Sequence, residues 1–142
     1  MRGLLFGIAL ALMIFACAHP PMPSQPPAVQ EITMLWGQIR QWRHEAKMDL
    51  EPAAASVIAM RSQTVQVAIA TCPDGHAVPP ACNDVCDPAD AICDNAERIC
   101  GLAGDLDDTQ WASWAKEKCD SAKASCKEAK KRCCECEHGA EP

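Results

Sequence analysis

Two rows of cysteine recur at one interval, and that interval restricts the fold more than any other feature of the chain. Cys86, Cys93 and Cys100 stand seven residues apart, as do Cys119, Cys126 and Cys133. Seven residues are almost two α-helical turns, so each trio lies along one stripe of a helix at steps of ~10.5 Å. Alanine fills the interleaved places. Ala89, Ala96 and Ala103 each follow a cysteine by three residues, and Ala122 and Ala129 do the same in the second arm, where Cys136 takes the next such place. Both arms are therefore heptads with cysteine and alanine in the two core positions.

The two residue types belong together for a geometric reason. A disulfide needs its Cα atoms about 4.4–6.8 Å apart, closer than leucine-packed helices allow. Alanine at the seam lets the backbones approach. The arms are joined by the short stretch Gly104-Asp105-Leu106-Asp107-Asp108, which makes them antiparallel neighbours. Partners in an antiparallel pair have residue numbers of constant sum. Cys100 with Cys119, Cys93 with Cys126 and Cys86 with Cys133 share one sum. Ala96 with Ala122 and Ala89 with Ala129 share another, and extending that series by a heptad at each end pairs Cys82 with Cys136. Asp107 or Asp108 reads as the cap of the second arm, with Trp111 and Trp114 in its opening turns. Asp87-Pro88 reads as a cap and first position, which starts the first arm at residue 88 and leaves Cys82 and Cys86 on a preceding turn. Gly101 and Gly104 weaken the end of that arm by about 1 kcal/mol each relative to alanine.

The beginning of the chain sets the redox compartment. After Met1-Arg2, Leu4 to Ala16 is an unbroken run of apolar or small residues. It is short of the roughly 20 residues that a membrane-spanning helix needs, and it matches the apolar region of a secretory signal over residues 1–16. The run ends at Ile14-Phe15-Ala16-Cys17, which resembles a bacterial lipobox. That resemblance implies lipidation of Cys17, which then becomes the new amino terminus and attaches the protein to a membrane. Ala18 follows, not Asp, and in enteric-type sorting this implies the outer membrane. The alternative is ordinary cleavage after Ala16 and a soluble secreted protein. With Cys17 taken as the anchor, ten of the 11 cysteines remain, an even number suited to disulfides in an oxidising compartment. Cys72 and Cys134 then pair by elimination.

Between the anchor and the ladder the chain changes character twice. Residues 17–28 hold five prolines, Pro20, Pro21, Pro23, Pro26 and Pro27. They form an extended tether reaching roughly 30–35 Å at ~3.1 Å per residue. Residues 29–71 read as two amphipathic helices. The first carries Ile32, Leu35, Trp36, Ile39, Trp42 and Ala46 on one stripe. Arg40, Arg43 and Lys47 fall on another side and read as a solvated face, although a basic face near a lipid anchor could also touch anionic head groups. Asp49 to Pro52 is a break, with Pro52 suited to open the next helix, whose inner side is Ala54, Val57, Ile58, Val65, Ala68 and Ile69. Residues 73–81 form a loop, and the ladder unit covers 72–138.

Composition narrows the function. The formal charge is −6, and −7 once Arg2 leaves with the signal. Such a chain is not drawn to nucleic acid by phosphate electrostatics. After processing its only aromatic residues are Trp36, Trp42, Trp111 and Trp114, a thin core for which covalent staples are the usual remedy. Catalytic residues do not stand out: His44, His76 and His138 read as surface histidines, no Ser-His-Asp set or phosphate loop can be picked out, and no strand–helix context frames a redox motif. No cofactor is implied. The rival reading is copper or zinc binding through the thiols of Cys133-Cys134-Glu135-Cys136-Glu137-His138 and Cys82-x-x-x-Cys86. Against it, the heptad cysteines have six intervening residues, where compact zinc sites use two to four.

Asp94-Asn95-Ala96-Glu97-Arg98-Ile99-Cys100, with Trp111-Ala112 and Lys118-Cys119-Asp120-Ser121-Ala122-Lys123-Ala124-Ser125-Cys126, resembles the core of uncharacterised cysteine-rich lipoproteins of myxobacterial type, over roughly residues 30–136. The resemblance implies the architecture and no reaction. More distantly, the paired arms resemble the twin cysteine-motif hairpins of small eukaryotic proteins, in the stapling principle alone. The expectation is an all-α fold: a disulfide-stapled antiparallel hairpin over about 82–136 with two preceding amphipathic helices in a small bundle. Its expected role is that of a non-enzymatic envelope lipoprotein that acts structurally or by binding an envelope protein.

Overall fold

The chain begins its first helix inside the proline segment. In the computed structural model, which describes residues 25–71 and 78–139, Pro26 is the N-cap and Pro27 the first residue of α1 (Pro27–Glu45). A proline there loses no helical hydrogen bond and brings its φ already set. The last two residues assigned to the proline segment, Pro27 and Ala28, are therefore helical. There follow α2 (Ala54–Met60), α3 (Val65–Ile69), a 3₁₀ turn (Pro80–Cys82), α4 (Asn83–Gly104) and α5 (Ala112–Gly139). The described residues contain no strand, so the fold is an all-α bundle.

One side of α1 is buried through Val29, Ile32, Leu35, Trp36 and Ile39, with Ala46 just beyond its end. Trp42 of the expected stripe is half-buried against this core. The next interior place after Ile39 goes instead to Arg43, which is 1% exposed. That corrects the solvated basic face at Arg43, while Arg40 and Lys47 are exposed as expected. The i, i+4, i+7 progression from Ile39 runs through Arg43 to Ala46, so the helix itself turns the arginine inward. The end of α1 is a Schellman turn. Lys47 N donates to His44 O at 3.0 Å and Met48 N to Arg43 O at 2.8 Å. Lys47 sits at φ 55° in the left-handed place that glycine usually holds.

The single helix expected over 53–70 is two short ones. Pro52 lies before α2 instead of opening it, and the chain turns at Arg61–Thr64 so that Met60 and Val65 can both enter the core. Ile58, expected on the inner side, is 61% exposed. Short helices rich in β-branched residues carry little propensity of their own, so packing on α5 decides where they break.

α5 packs against all four other helices, and α1 also lies along α4. Between Asp120 and Cys126 only Ser121 escapes full burial. The α4 surface has two buried rows. Cys86, Ala89, Cys93, Ala96 and Ala103 belong to the cysteine–alanine repeat, while Ile92, Ile99 and Leu102 belong to the apolar core shared with α1. α4 begins at Asn83 and contains Pro88, contrary to the expected start at 88. Cys82 does sit on a preceding turn, but Cys86 is on α4 itself. The proline forfeits the hydrogen bond to residue 84, and disulfides from Cys82 and Cys86 pin the turn it would otherwise loosen.

Candidate functional site

The seam between α4 and α5 concentrates the chemistry of this chain. Cys100–Cys119, Cys93–Cys126 and Cys86–Cys133 hold their Cα atoms 4.7, 4.7 and 4.8 Å apart. Cys82–Cys136, reached from the 3₁₀ turn, spans 5.9 Å. These are the four pairs that constant-sum register specifies, and the numbering of partners in opposite directions makes the helices antiparallel. Ala89, Ala96, Ala122 and Ala129 are buried between the rungs, at 0, 0, 0 and 2% exposure, which is what permits so close an approach. The fifth assignment, Cys72–Cys134, reaches outside the described residues at Cys72. Cys134 is itself disulfide-bonded, and its Sγ lies 3.8 Å from the carbonyl of Thr71.

All nine described cysteines are thus in disulfides. A disulfide sulfur is no thiolate, so none of the nine can ligate copper or zinc without first being reduced. Among the described residues, no three His, Cys, Asp or Glu side chains converge as a metal site. His44 is exposed, His76 lies outside the described residues, and so does the side chain of His138. Cys17 and the signal segment also lie outside. No described helix is long and apolar enough to cross a membrane.

The hairpin is tied to the smaller helices by polar side chains that sequence reasoning placed in solvent or did not single out. Arg43 Nε donates to Asp49 O at 2.7 Å, and its Nη2 donates to Glu51 O at 3.1 Å and to Glu128 Oε2 at 2.9 Å. Glu128 Oε1 accepts the amide of Ala53 at 3.1 Å. One buried guanidinium therefore organises the loop between α1 and α2 and fastens it to α5. Lys123, 5% exposed, meets Asp120 at 2.8 Å and donates to Gln63 O at 3.0 Å, fixing the α2–α3 turn. Such buried charges persist only when paired and hydrogen-bonded, and both are. Arg43 had one signal in the sequence, its place on the i, i+3, i+4 line of α1. Lys123 had its flanking alanines.

Outside the seam, Arg98 Nε and Nη2 hold both oxygens of Glu31 at 2.7 and 3.1 Å, joining α4 to α1. This hydrogen-bonded pairing lowers the Glu31 carboxyl below its ordinary range and raises Arg98 above its own. Lys118 Nζ stands 5.4 Å from the Trp36 ring centroid, a cation–π contact. Trp111 and Trp114 pack edge to face with centroids 6.0 Å apart at the start of α5. The expected aspartate cap is absent. Thr109 Oγ1 accepts the amide of Trp111 at 3.1 Å and Thr109 O that of Ala112 at 3.2 Å. A Thr-initiated turn therefore precedes α5, because the connection runs on to residue 111.

These features describe a stapled scaffold with polar fasteners and no assembled catalytic set among the described residues. No protein-family model matches the chain, and no curated protein or solved structure is significantly similar to it.

Proposed function

We propose that this chain is a bacterial envelope lipoprotein, anchored in the outer membrane through a lipid on Cys17, and that its stapled bundle is a non-enzymatic structural or protein-binding module. The observation that carries the reading is the consumption of every described cysteine in disulfides along the bundle. Such oxidation belongs to compartments beyond the cytoplasm. It agrees with the apolar run that ends at Ile14-Phe15-Ala16-Cys17. Staples on a thin core give a module that survives transient exposure to proteases and detergents, because unfolding is slow and incomplete while the rungs hold. The proline tether holds the module away from the bilayer, where a partner in the envelope can reach it.

Intact mass of the detergent-extracted protein, before and after thiol alkylation without reductant, tests this reading. The expected species begins at Cys17, carries acyl chains and takes up no alkylating agent. A chain that starts before residue 17, or one without acyl mass, would remove the anchor. Several free thiols with copurifying copper or zinc would replace the scaffold by metal handling. Chemical cross-linking in intact cells then identifies the partner.

A further inference from the structure

From Pro52 to Thr71, a stretch that covers α2, α3 and the turn between them, Arg61 carries the only charge, in a chain of which 23% is charged. Burial does not account for this. α2 and α3 enter the core through Met60, Val65 and Ala68, while Ala54, Ala55, Ile58 and Ala59 of α2 and Gln66 and Val67 of α3 are exposed. Ile58 is 61% exposed and Val67 45%. Elsewhere the solvent-facing positions carry charge, as helix surfaces ordinarily do: Arg40 and Glu45 on α1, and Asp84, Asp87 and Asp94 on α4. An exposed helical face cleared of charge, with Ile58 outward, has the charge depletion of an interface centre. Two observations select what covers it. The chain is acidic, at −7 once Arg2 is gone, so copies repel one another, and a face without carboxylates is where that repulsion is least. At the rim of the face, Arg61 and Glu117 line one surface cleft together with Val57. Arg61 is exposed and has no ion pair among the described residues. Glu117, 70% exposed, reaches only Lys118, its own chain neighbour, at 4.0 Å. A two-fold axis beside this cleft brings each guanidinium to the other copy's carboxylate and makes both pairs at once. A bilayer suits the face less, because interfacial helices present bulky apolar side chains, and here Ser62, Gln63, Thr64 and Gln66 interrupt them.

We infer that two copies of this chain associate through the α2–α3 face about a two-fold axis, with Ile58 and the α2 alanines at the centre and Arg61 and Glu117 at the rim. Alanine at the centre lets the two backbones approach, as it does in the cysteine seam. Twelve exposed residues lie between Ala53 and Ala70, against the roughly 20–30 a side of a standard interface. The dimer is therefore weak, with a Kd on the order of 10 μM. The inference rests on the protein-binding part of the function proposed above and not on the lipid at Cys17.

The test uses the oxidised mature chain, from residue 17 onward, with Cys17→Ser, so that no acyl chain can associate on its own account. Sedimentation equilibrium from roughly 1 to 300 μM brackets the expected constant. Ile58→Lys should weaken the dimer at least about tenfold although it makes the chain less acidic, so general repulsion cannot be the cause. Arg61→Glu and Glu117→Arg should each weaken it about tenfold alone. An equimolar mixture of those two should recover the original constant, because both rim pairs return with their signs exchanged, and a fold lost in either variant could not give that rescue. Asp94→Arg, the same kind of reversal on α4, should give no rescue when mixed with Arg61→Glu. A monomer throughout the range, a dimer that none of the variants weakens, or a mixture no tighter than its components would overturn the interface. Sedimentation of the unsubstituted face with phosphatidylcholine vesicles, lost in Ile58→Lys, would overturn it in favour of a bilayer. Each of these leaves the anchor and the disulfides, read by intact mass, as separate questions.

Discussion

Replacing Arg43 by methionine tests whether one buried guanidinium holds the small helices to the hairpin. Methionine keeps most of the aliphatic length and removes all three engaged hydrogen bonds. Deleting one partner of a buried pair costs about 3–5 kcal/mol when the other is left enclosed. Here the other side is less severely stranded. Glu128 is 23% exposed and keeps the Ala53 amide, and Asp49 and Glu51 are surface residues whose carbonyls can turn to water. The lower end is therefore expected, about 3 kcal/mol, with roughly 1 kcal/mol returned when Glu128→Gln is added, because the stranded charge is then gone. Urea unfolding of the oxidised protein followed by circular dichroism gives the global figure. Hydrogen exchange gives the location: protection should fall over 27–53 while α4 and α5, held by the rungs, keep theirs. A loss under about 1 kcal/mol, or protection falling evenly along the chain, would refute the assignment of Arg43 as the fastener.

Complete reduction should melt α4 and α5 at 25 °C without denaturant, since the seam between the rungs is alanine and the core has few large side chains; helicity retained after full alkylation would contradict this. Removing a single rung by Cys93→Ala with Cys126→Ala should keep the hairpin register and cost about 2 kcal/mol, because the rungs on either side already shorten the loop, and peptide mapping with urea unfolding reads both outcomes. Gly101→Ala should stabilise by about 0.5–1 kcal/mol in the same assay, as a Cβ there meets nothing within 4 Å and helix propensity is gained. Glu31 has its folded pKa below the unfolded value, so the stability it contributes with Arg98 is present at neutral pH and lost as pH falls through the lowered value. Carboxyl NMR should find its midpoint below that of the exposed carboxylates, and Arg98→Gln should bring it back to the ordinary range.

Much of the ladder was legible because a disulfide obeys a strict distance and a helix a strict period. Cys86, Cys93 and Cys100 against Cys119, Cys126 and Cys133 admit one antiparallel register, and the alanines say how close the helices come. The ends of the elements were not legible. Pro88 looked like a helix start, and only the bonds at Cys82 and Cys86 to α5 make it an interior residue. The stretch 53–70 looked like one helix, and its break at Arg61–Thr64 follows from the surface of α5 on which it lies.

The sequence by itself determined the all-α class and the rung pairing within 82–136, since both follow from period, spacing and the size of alanine, which are local properties. The tertiary structure alone decided the fate of the charges. In the sequence Arg43 and Lys123 differ from Arg40 and Lys116, which stay in solvent, only by a place on the apolar line of α1 and by flanking alanines, and neither signal names a partner for the charge. Whether a long cation is buried depends on which carbonyls and carboxylates arrive from elsewhere, here Asp49, Glu51 and Glu128 for one and Asp120 and Gln63 for the other. Burial of a charge is favourable only when those partners are in place together, and their meeting is a property of the assembled bundle.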